Sequence, residues 1–293
     1  MLAIRCCDQF GSFFFFFFLQ AQWRGLGSVL VEAYSAVDEA RSTFHPCAII
    51  EIVQISPDTK TLVLAPRRSE AAGAREDWRF SAGQHLIVKR MEPGGGGGYA
   101  TRSYTPIGSG ITVPVPGREL DVEQAFELLV KVYPHGQLSS HIGGLGVGDD
   151  LLCTRAVGGG GDIPAGLAEH DAIGFIAGGT GITPMLPIMQ AMGPVQQGHL
   201  VFCNRAEQDI LMRDRPEKLD STRFRTTHLL SSPDPQQPWT GLTGHISVEI
   251  IAAALPAPSA TRPMVVFVCG RLSFTKLVVG LLERLGHTAH GFS

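Results

Sequence analysis

The sequence predicts an α+β protein of two domains, an antiparallel β-barrel or sandwich followed by an α/β domain built on a parallel sheet. Three observations carry that prediction. Residues 48–155 hold a succession of short, β-branched runs divided by turn signals. Past the glycine run 158–161 the apolar runs become continuous and alternate with helical segments. The length, 293 residues, suits about two domains at roughly 150 residues each.

In the first half, residues 48–55 (AIIEIVQI) and 61–64 (TLVL) read as strands split by Ser56, Pro57 and Asp58. Residues 84–89 (QHLIVK) alternate like a third strand. The glycines at 94–98 read as a flexible loop. Residues 101–106 (TRSYTP), 126–133 (FELLVKVY) and 149–155 (DDLLCTR) complete the set. In the second half, 172–177 (AIGFIA) has the unbroken apolar character of a strand buried on both faces. It runs into a glycine-rich turn at 178–184 (GGTGITP), and a helix over 185–192 follows with Pro184 near its first turn. Strands are expected at 199–203, 223–230 and 264–269, with helices over 209–219 and, closing the chain, 272–285. The domain boundary is placed near 158–168.

Composition excludes several classes. Hydrophobic residues make up 44% and charged residues 17%, too apolar for a disordered chain. There is no apolar run of about 18 residues of the kind that crosses a bilayer as a helix. Net charge is −3 without a basic block, so nucleic acid is not an expected partner. The six cysteines include no C-x-x-C pair, which argues against a zinc site or disulfide framework and suits a reducing compartment. His287 and His290 make an H-x-x-H without a third ligand nearby in sequence, so no metal site is expected.

Residues 1–43 read as an extension. Phenylalanines 13–18 closed by Leu19 are flanked by Arg5 and Arg24. One reading is a membrane-surface anchor or organelle-targeting segment, with residues 10–19 in contact with lipid. The other is an unstructured extension or a misassigned start.

Four motifs could carry chemistry. The turn at 178–184, between a buried strand and a helix, offers free backbone N–H groups and glycines that let a pyrophosphate approach. Cys269-Gly270 ends the last predicted strand, on the same sheet edge. Arg102-Ser103-Tyr104-Thr105-Pro106 places a guanidinium and an aromatic ring on one strand face. Gly136-Gln137-Leu138-Ser139 follows a strand carrying Lys131 and Tyr133, and could receive a second phosphate at a helix start.

In this order the motifs resemble the ferredoxin–NADP reductase superfamily and, within it, the NADH–cytochrome b5 reductase family. That family reads R-x-Y-T-P, K-V-Y, G-K-M-S, G-G-T-G-I-T-P-M-L and C-G-P-P-P-M. Residues 202–213 (FCNRAEQDILMR) also resemble its F-A-N-Q-T-E-K-D-I-L-L-R. The resemblance covers about residues 44–293. It implies an FAD-binding six-stranded barrel over 44–160 and an NAD(P)-binding domain over 168–293. Arg102 would meet the flavin pyrophosphate, and Tyr104 and Thr105 the isoalloxazine ring and ribityl chain. Lys131, Tyr133, Gly136, Leu138 and Ser139 would line the FAD site. Thr180 would reach the flavin, while Gly179, Gly181, Cys269 and Gly270 would border the nicotinamide nucleotide. No acid or base is required, and Cys269 would be a positional contact.

Three departures stand out. The lysine of G-K-M-S is Gln137, the prolines after Cys269-Gly270 are absent with Arg271 among their replacements, and the aspartate that favours NADH is Ser231. The implied activity is hydride transfer from NADH, with NADPH as the second candidate, to FAD and then to cytochrome b5 or a similar one-electron acceptor. Alternatives are a reductase module for a desaturase, a nitrate-reductase-type partner or a quinone, or a non-catalytic relative. A monomer is expected, either membrane-associated at mitochondria or endoplasmic reticulum, or cytoplasmic.

Overall fold

The computed structural model describes residues 43–68, 77–91, 99–109, 120–158, 167–213, 222–259 and 264–292. The extension at 1–42, the glycine loop at 94–98 and most of the predicted helix at 209–219 lie outside them.

The first half is an antiparallel sheet. Its strands are β1 (His45–Ser56), β2 (Thr59–Pro66), β3 (Gln84–Met91), β4 (Tyr99–Tyr104), β5 (Gly108–Ser109), β6 (Phe126–Lys131), β7 (Asp150–Cys153) and β8 (Val157–Gly158). They pair in the order β4-β3-β7-β1-β2-β6-β5, with β8 added on β3. Six of the strands correspond to the predicted runs. The paired ladder of β4 stops at Tyr104, short of the expected Pro106, which has no N–H to donate. β6 stops at Lys131, and a tight turn from Tyr133 to Gly136 leads into helix α1 (Gln137–Gly143). The core gathers Leu62, Leu64, Leu86, Val88, Phe126, Leu128 and Leu138 around Trp78. The Trp78 indole stacks on Phe126 at 5.7 Å with ring planes 3° apart. Lys60, on the wholly buried β2, donates to the Gly143 carbonyl at 2.9 Å and so satisfies the C-terminal end of α1.

The second half is a parallel sheet of β9 (Ala172–Gly178), β10 (Gln197–Asn204), β11 (Phe224–Leu230), β12 (Leu242–Thr243), β13 (Met264–Cys269) and β14 (Thr288–Phe292), ordered β12-β11-β10-β9-β13-β14. Helices α2 (Met185–Ala191), α3 (Val248–Ala254) and α4 (Leu272–Arg284) complete it among the described residues. Alternate residues of the central strands feed two cores. Phe175, Phe202 and Phe267 pack with Met185 and Ile188 of α2, and this core also takes in Ile107 and Leu129 from the first half. Ile176, Val201, Val266 and Val268 pack with Ile251 of α3 and with Val278 and Leu282 of α4.

The chain does not end on the helix expected to close it. After α4, β14 pairs in parallel with β13, and Phe292 stacks on Phe267 at 5.7 Å. His290, half of the H-x-x-H, lies in that strand and packs edge-on against the same ring. Residues 207–209 form a single 3-10 turn, and the predicted helix over 209–219 does not begin within the described residues up to 213. Asp209 is held there as a cap, its Oδ2 accepting from the Ala206 N–H at 3.1 Å.

Candidate functional site

The parallel strands end on one edge, and sheet order reverses around β9, the arrangement in which open α/β sheets hold ligands. A cleft of about 1130 Å³ lies there. Its wall takes Gly178, Gly179 and Thr180 from the end of β9, Asn204 and Arg205 from β10, and Ser231 from β11. Arg271 and Phe274 join from the start of α4, and Lys131 and Tyr133 come from the first half.

The glycine turn is a short 3-10 helix, Gly179–Ile182, pressed against β6 of the first half. Thr183 fixes it by donating both its N–H and its hydroxyl to the Thr180 carbonyl at 3.1 Å. Its two inner glycines serve different purposes. Gly179 has φ +56° with open space where a side chain would project. A Cβ on Gly181 would overlap the Cys269 carbonyl, with Gly270 N only 2.9 Å away. The close approach that requires glycine at 181 is therefore to the Cys269-Gly270 backbone, and the two motifs lock one another. Phe274, where the family has methionine, lays its ring within 3.1 Å of a Gly178 Cβ position.

Cys269 and Gly270 are half-buried outside the cleft wall. Burial pushes the Cys269 thiol up to about 12, against a smaller opposing effect of a hydrogen bond from the Gly270 N–H. It stays protonated at neutral pH and is neither nucleophile nor base.

On the first half, Arg102 and Tyr104 share the edge strand β4. Arg102 is exposed, and its guanidinium donates to the Thr101 carbonyl at 2.6 Å without a carboxylate partner among the described residues. Tyr104 is half-buried; burial pushes its hydroxyl up to about 12, with Arg102 acting in the opposite direction and Tyr133 and Cys153 adding to the rise. Thr105 follows, also half-buried.

Three residues expected to line the flavin site have side chains committed elsewhere. Leu138 is 2% exposed in the first core. The Ser139 hydroxyl accepts from the Tyr133 N–H at 3.2 Å, beneath Gly136, whose Cβ would strike it. The Lys131 ammonium lies 3.0 Å from Asp58 and 3.3 Å from Asp209, so it ties the β1–β2 turn to the second half. Its burial acts to lower its pKa, but bonding and attraction to the two aspartates outweigh that and raise it. Burial acts to raise Asp58, yet hydrogen bonds from Lys131, Thr59 and Ser56 prevail and lower it.

Tyr133 bridges the halves too: the Arg271 guanidinium sits over its ring at 5.6 Å. Ser231 stands where the sequence placed it, just past β11, with its N–H bonded to the Asn204 carbonyl at 3.0 Å. Arg205, Asp234, Trp239 and Asn204 also line the cleft. Asn204 was not singled out as a site residue, although a polar residue closing an apolar strand run (HLVFCN) was the available signal. Trp239 was missed as well; its indole N–H donates to the Leu242 carbonyl at 3.1 Å.

The donor set fits the expected groups. An exposed guanidinium without a carboxylate partner on an edge strand suits a pyrophosphate, and a buried Asn204 amide with neither atom bonded awaits a polar partner in the nucleotide cleft. No group of three or more potential metal ligands gathers among the described residues.

Fold and cleft together define a two-domain protein of the flavin- and pyridine-nucleotide-binding class. An oxidoreductase FAD-binding domain model matches residues 46–159, and an oxidoreductase NAD-binding domain model matches 175–279. The chain belongs to the NADH–cytochrome b5 reductase family. It is 30% identical over 275 residues to NADH-cytochrome b5 reductase 1 of Mycosarcoma maydis, covering 89% of this chain and 77% of that one. To the Aspergillus terreus enzyme of the same name it is 37% identical over 199 residues, 64% of this chain and 61% of that relative's length. Among solved structures, the CS-b5R domains of human Ncb5or superpose with TM-score 0.69 at 25% identity, covering 86% of this chain and 70% of that one. The cytochrome b5 reductase domain of Ulva prolifera nitrate reductase shares the fold, with TM-score 0.64 at 21% identity, covering 85% and 97%.

Proposed function

We propose that the chain takes a hydride from NADH onto bound FAD and passes electrons to cytochrome b5 or a similar one-electron acceptor. One observation carries this reading: the glycine turn Gly179–Ile182 of the nucleotide half packs against β6 of the flavin half, at the head of the shared cleft. FAD, when bound, supplies the hydride acceptance and single-electron release that no side chain can.

The residues position and shield. Arg102 would pair with the flavin pyrophosphate, and Tyr104, half-buried and protonated, would offer a ring face and a hydroxyl donor. Thr180, on the turn between the halves, lies in the cleft wall where the two cofactors would approach. Lys131 holds the halves in register through Asp58 and Asp209. With Cys269 protonated, the Cys269-Gly270 turn behind Gly181 offers the hydride step no base.

Attachment to a membrane surface through residues 10–19 and a monomeric state belong to the same reading; liposome flotation and sedimentation of the full chain test them. The central test is anaerobic mixing of the purified flavoprotein with NADH. Rapid bleaching of the flavin, followed by reoxidation on adding cytochrome b5, is expected. A chain that holds no flavin, or flavin that NADH leaves oxidised, would overturn the reading in favour of a non-catalytic relative.

A further inference from the structure

Asn204 ends β10 and is 8% exposed, yet neither its Oδ1 nor its Nδ2 has a hydrogen-bond partner. Burying a carboxamide with donor and acceptor both unmet is costly, and folded proteins rarely do so without a reason. Its position supplies one. Asn204 belongs to the cleft wall. Along β10 it shares a face with Leu200 and Phe202, which pack into the core containing Ile107 and Leu129 of the first half. Its side chain therefore lies on the sheet face turned toward the first half. Its own carbonyl accepts from Ser231 N–H, and the next carbonyl, of Arg205, accepts from Ser232 N–H at 2.7 Å. The two strand ends are thus stitched into one ledge.

In doubly wound sheets with a G-x-G-x-x-G turn, a residue about 20 positions further on meets the ribose hydroxyls; here the turn reads G-G-T-G-I-T-P, and the comparable place is the strand end beside β9, where sheet order reverses. Asn204 ends the second strand of this sheet in chain order. We propose that the Asn204 carboxamide is a binding and specificity residue for the adenosine ribose of the dinucleotide, accepting from one hydroxyl and donating to its neighbour. This rests on the NAD-binding reading above and adds a residue to it. An acidic residue there would repel a 2′-phosphate; a carboxamide donates to that phosphate as readily as it accepts from a hydroxyl. With Ser231 beside it and Arg205 in the same wall, the ledge carries no carboxylate at either strand end. Of the other carboxylates in the wall, Glu207 is paired with Arg213 and Asp209 with Lys131, while Asp234 lies beyond Ser231 on the following loop, so the ledge itself sets no charge against a 2′-phosphate.

The test measures binding without turnover. Oxidised holoprotein is titrated calorimetrically with NAD+, NADP+ and ADP-ribose, and its melting temperature is recorded. Asn204→Leu should weaken all three ligands about tenfold or more, the loss expected from about one hydrogen bond. Its melting temperature should stay level or rise, because an unmet polar group leaves the interior. Asn204→Asp, nearly isosteric, should weaken NADP+ at least tenfold more than NAD+. Affinities within twofold of wild type in the leucine variant would overturn the proposal. So would equal losses for NAD+ and NADP+ in the aspartate variant, which also decides the matter should the leucine variant melt early. Failure of the wild-type holoprotein to bind NAD+ would instead bring down the functional reading on which the proposal rests.

Discussion

The two halves hold their motif residues in opposite ways. In the antiparallel half, Leu138 is core, the Ser139 hydroxyl is bonded to the Tyr133 N–H, and Lys131 is spent on two aspartates. In the parallel half, Asn204 is buried with its amide unmet, and Ser231 and Thr180 stand in an open cleft wall. Motif residues of the first half build a surface from their backbone, whereas those of the second leave side-chain atoms for a ligand. Substitutions in the first should therefore register mainly as stability, and those in the second mainly as binding. Two residues invert that rule, Gly181 in the second half and Arg102 in the first, and they offer the sharpest tests.

Gly181→Val should have the largest effect. Its side chain would meet the backbone of Cys269 and Gly270, which cannot swing aside. We expect a loss of about 3 kcal/mol or more in stability, read by thermal or denaturant unfolding. Gly179→Ala is the control: it has room but must hold φ +56°, at a cost of about 1 kcal/mol. Equal losses from the two would mean that the lock between the motifs is absent.

Arg102→Ala comes next. The side chain is exposed and contributes little to the fold, but flavin should bind about 1.5–3 kcal/mol more weakly, measured by fluorescence on cofactor release. Undiminished flavin affinity would remove Arg102 from the site.

Ser231→Asp should raise the NADH-to-NADPH ratio of kcat/KM about tenfold, or about 1.4 kcal/mol. An unchanged ratio would show that the end of β11 does not face the ribose.

Lys131→Met should give the smallest change, about 1 kcal/mol in stability, because its partners are partly solvated. Its pH dependence identifies it. Asp58 is lowered in the fold, so its contribution is present above the ordinary value of 3.8 and is lost as pH falls through the lowered one. Lys131 is raised, so its contribution is fully present below the ordinary value of 10.5 and is lost as pH rises through the raised one. The gap between wild type and variant should hold through the neutral range and close at both extremes. A gap that closes near neutrality would point to another group.

Much of this was legible in the sequence because single-segment physics dictates it. The runs AIGFIA and MVVFVC, short, apolar throughout and each closed by glycine, read as strands covered on both faces, and they are β9 and β13. The glycine turn and Ser231 fell at strand ends because a buried run must stop where its backbone meets a turn. The parts that were not legible depend on distant partners. β14 contains a glycine and is stabilised by pairing with β13 and by rings stacked on Phe267, so TAHGF alone carries no strand signal. α3 gives no comparable signal in the sequence, since no glycine turn or proline marks its start as they mark α1 and α2, and its cap is the Ser247 hydroxyl accepting from the Ile250 N–H. The ion pairs of Lys131 were not legible because its aspartate partners lie in other segments, one of them 78 residues on.

The placement of the tryptophans has a spectroscopic consequence. The sequence holds three, of which Trp23 lies outside the described residues. Trp78 is 2% exposed and stacked on Phe126 in the first core, while Trp239 is half-buried in the cleft wall and hydrogen-bonded to Leu242. The emission of Trp78 reports whether the antiparallel half is folded, and that of Trp239 responds to what occupies the cleft. With Trp23 and one of the other two replaced by phenylalanine, each variant carries a single optical gauge for one half, so cofactor loss and nucleotide release can be followed apart.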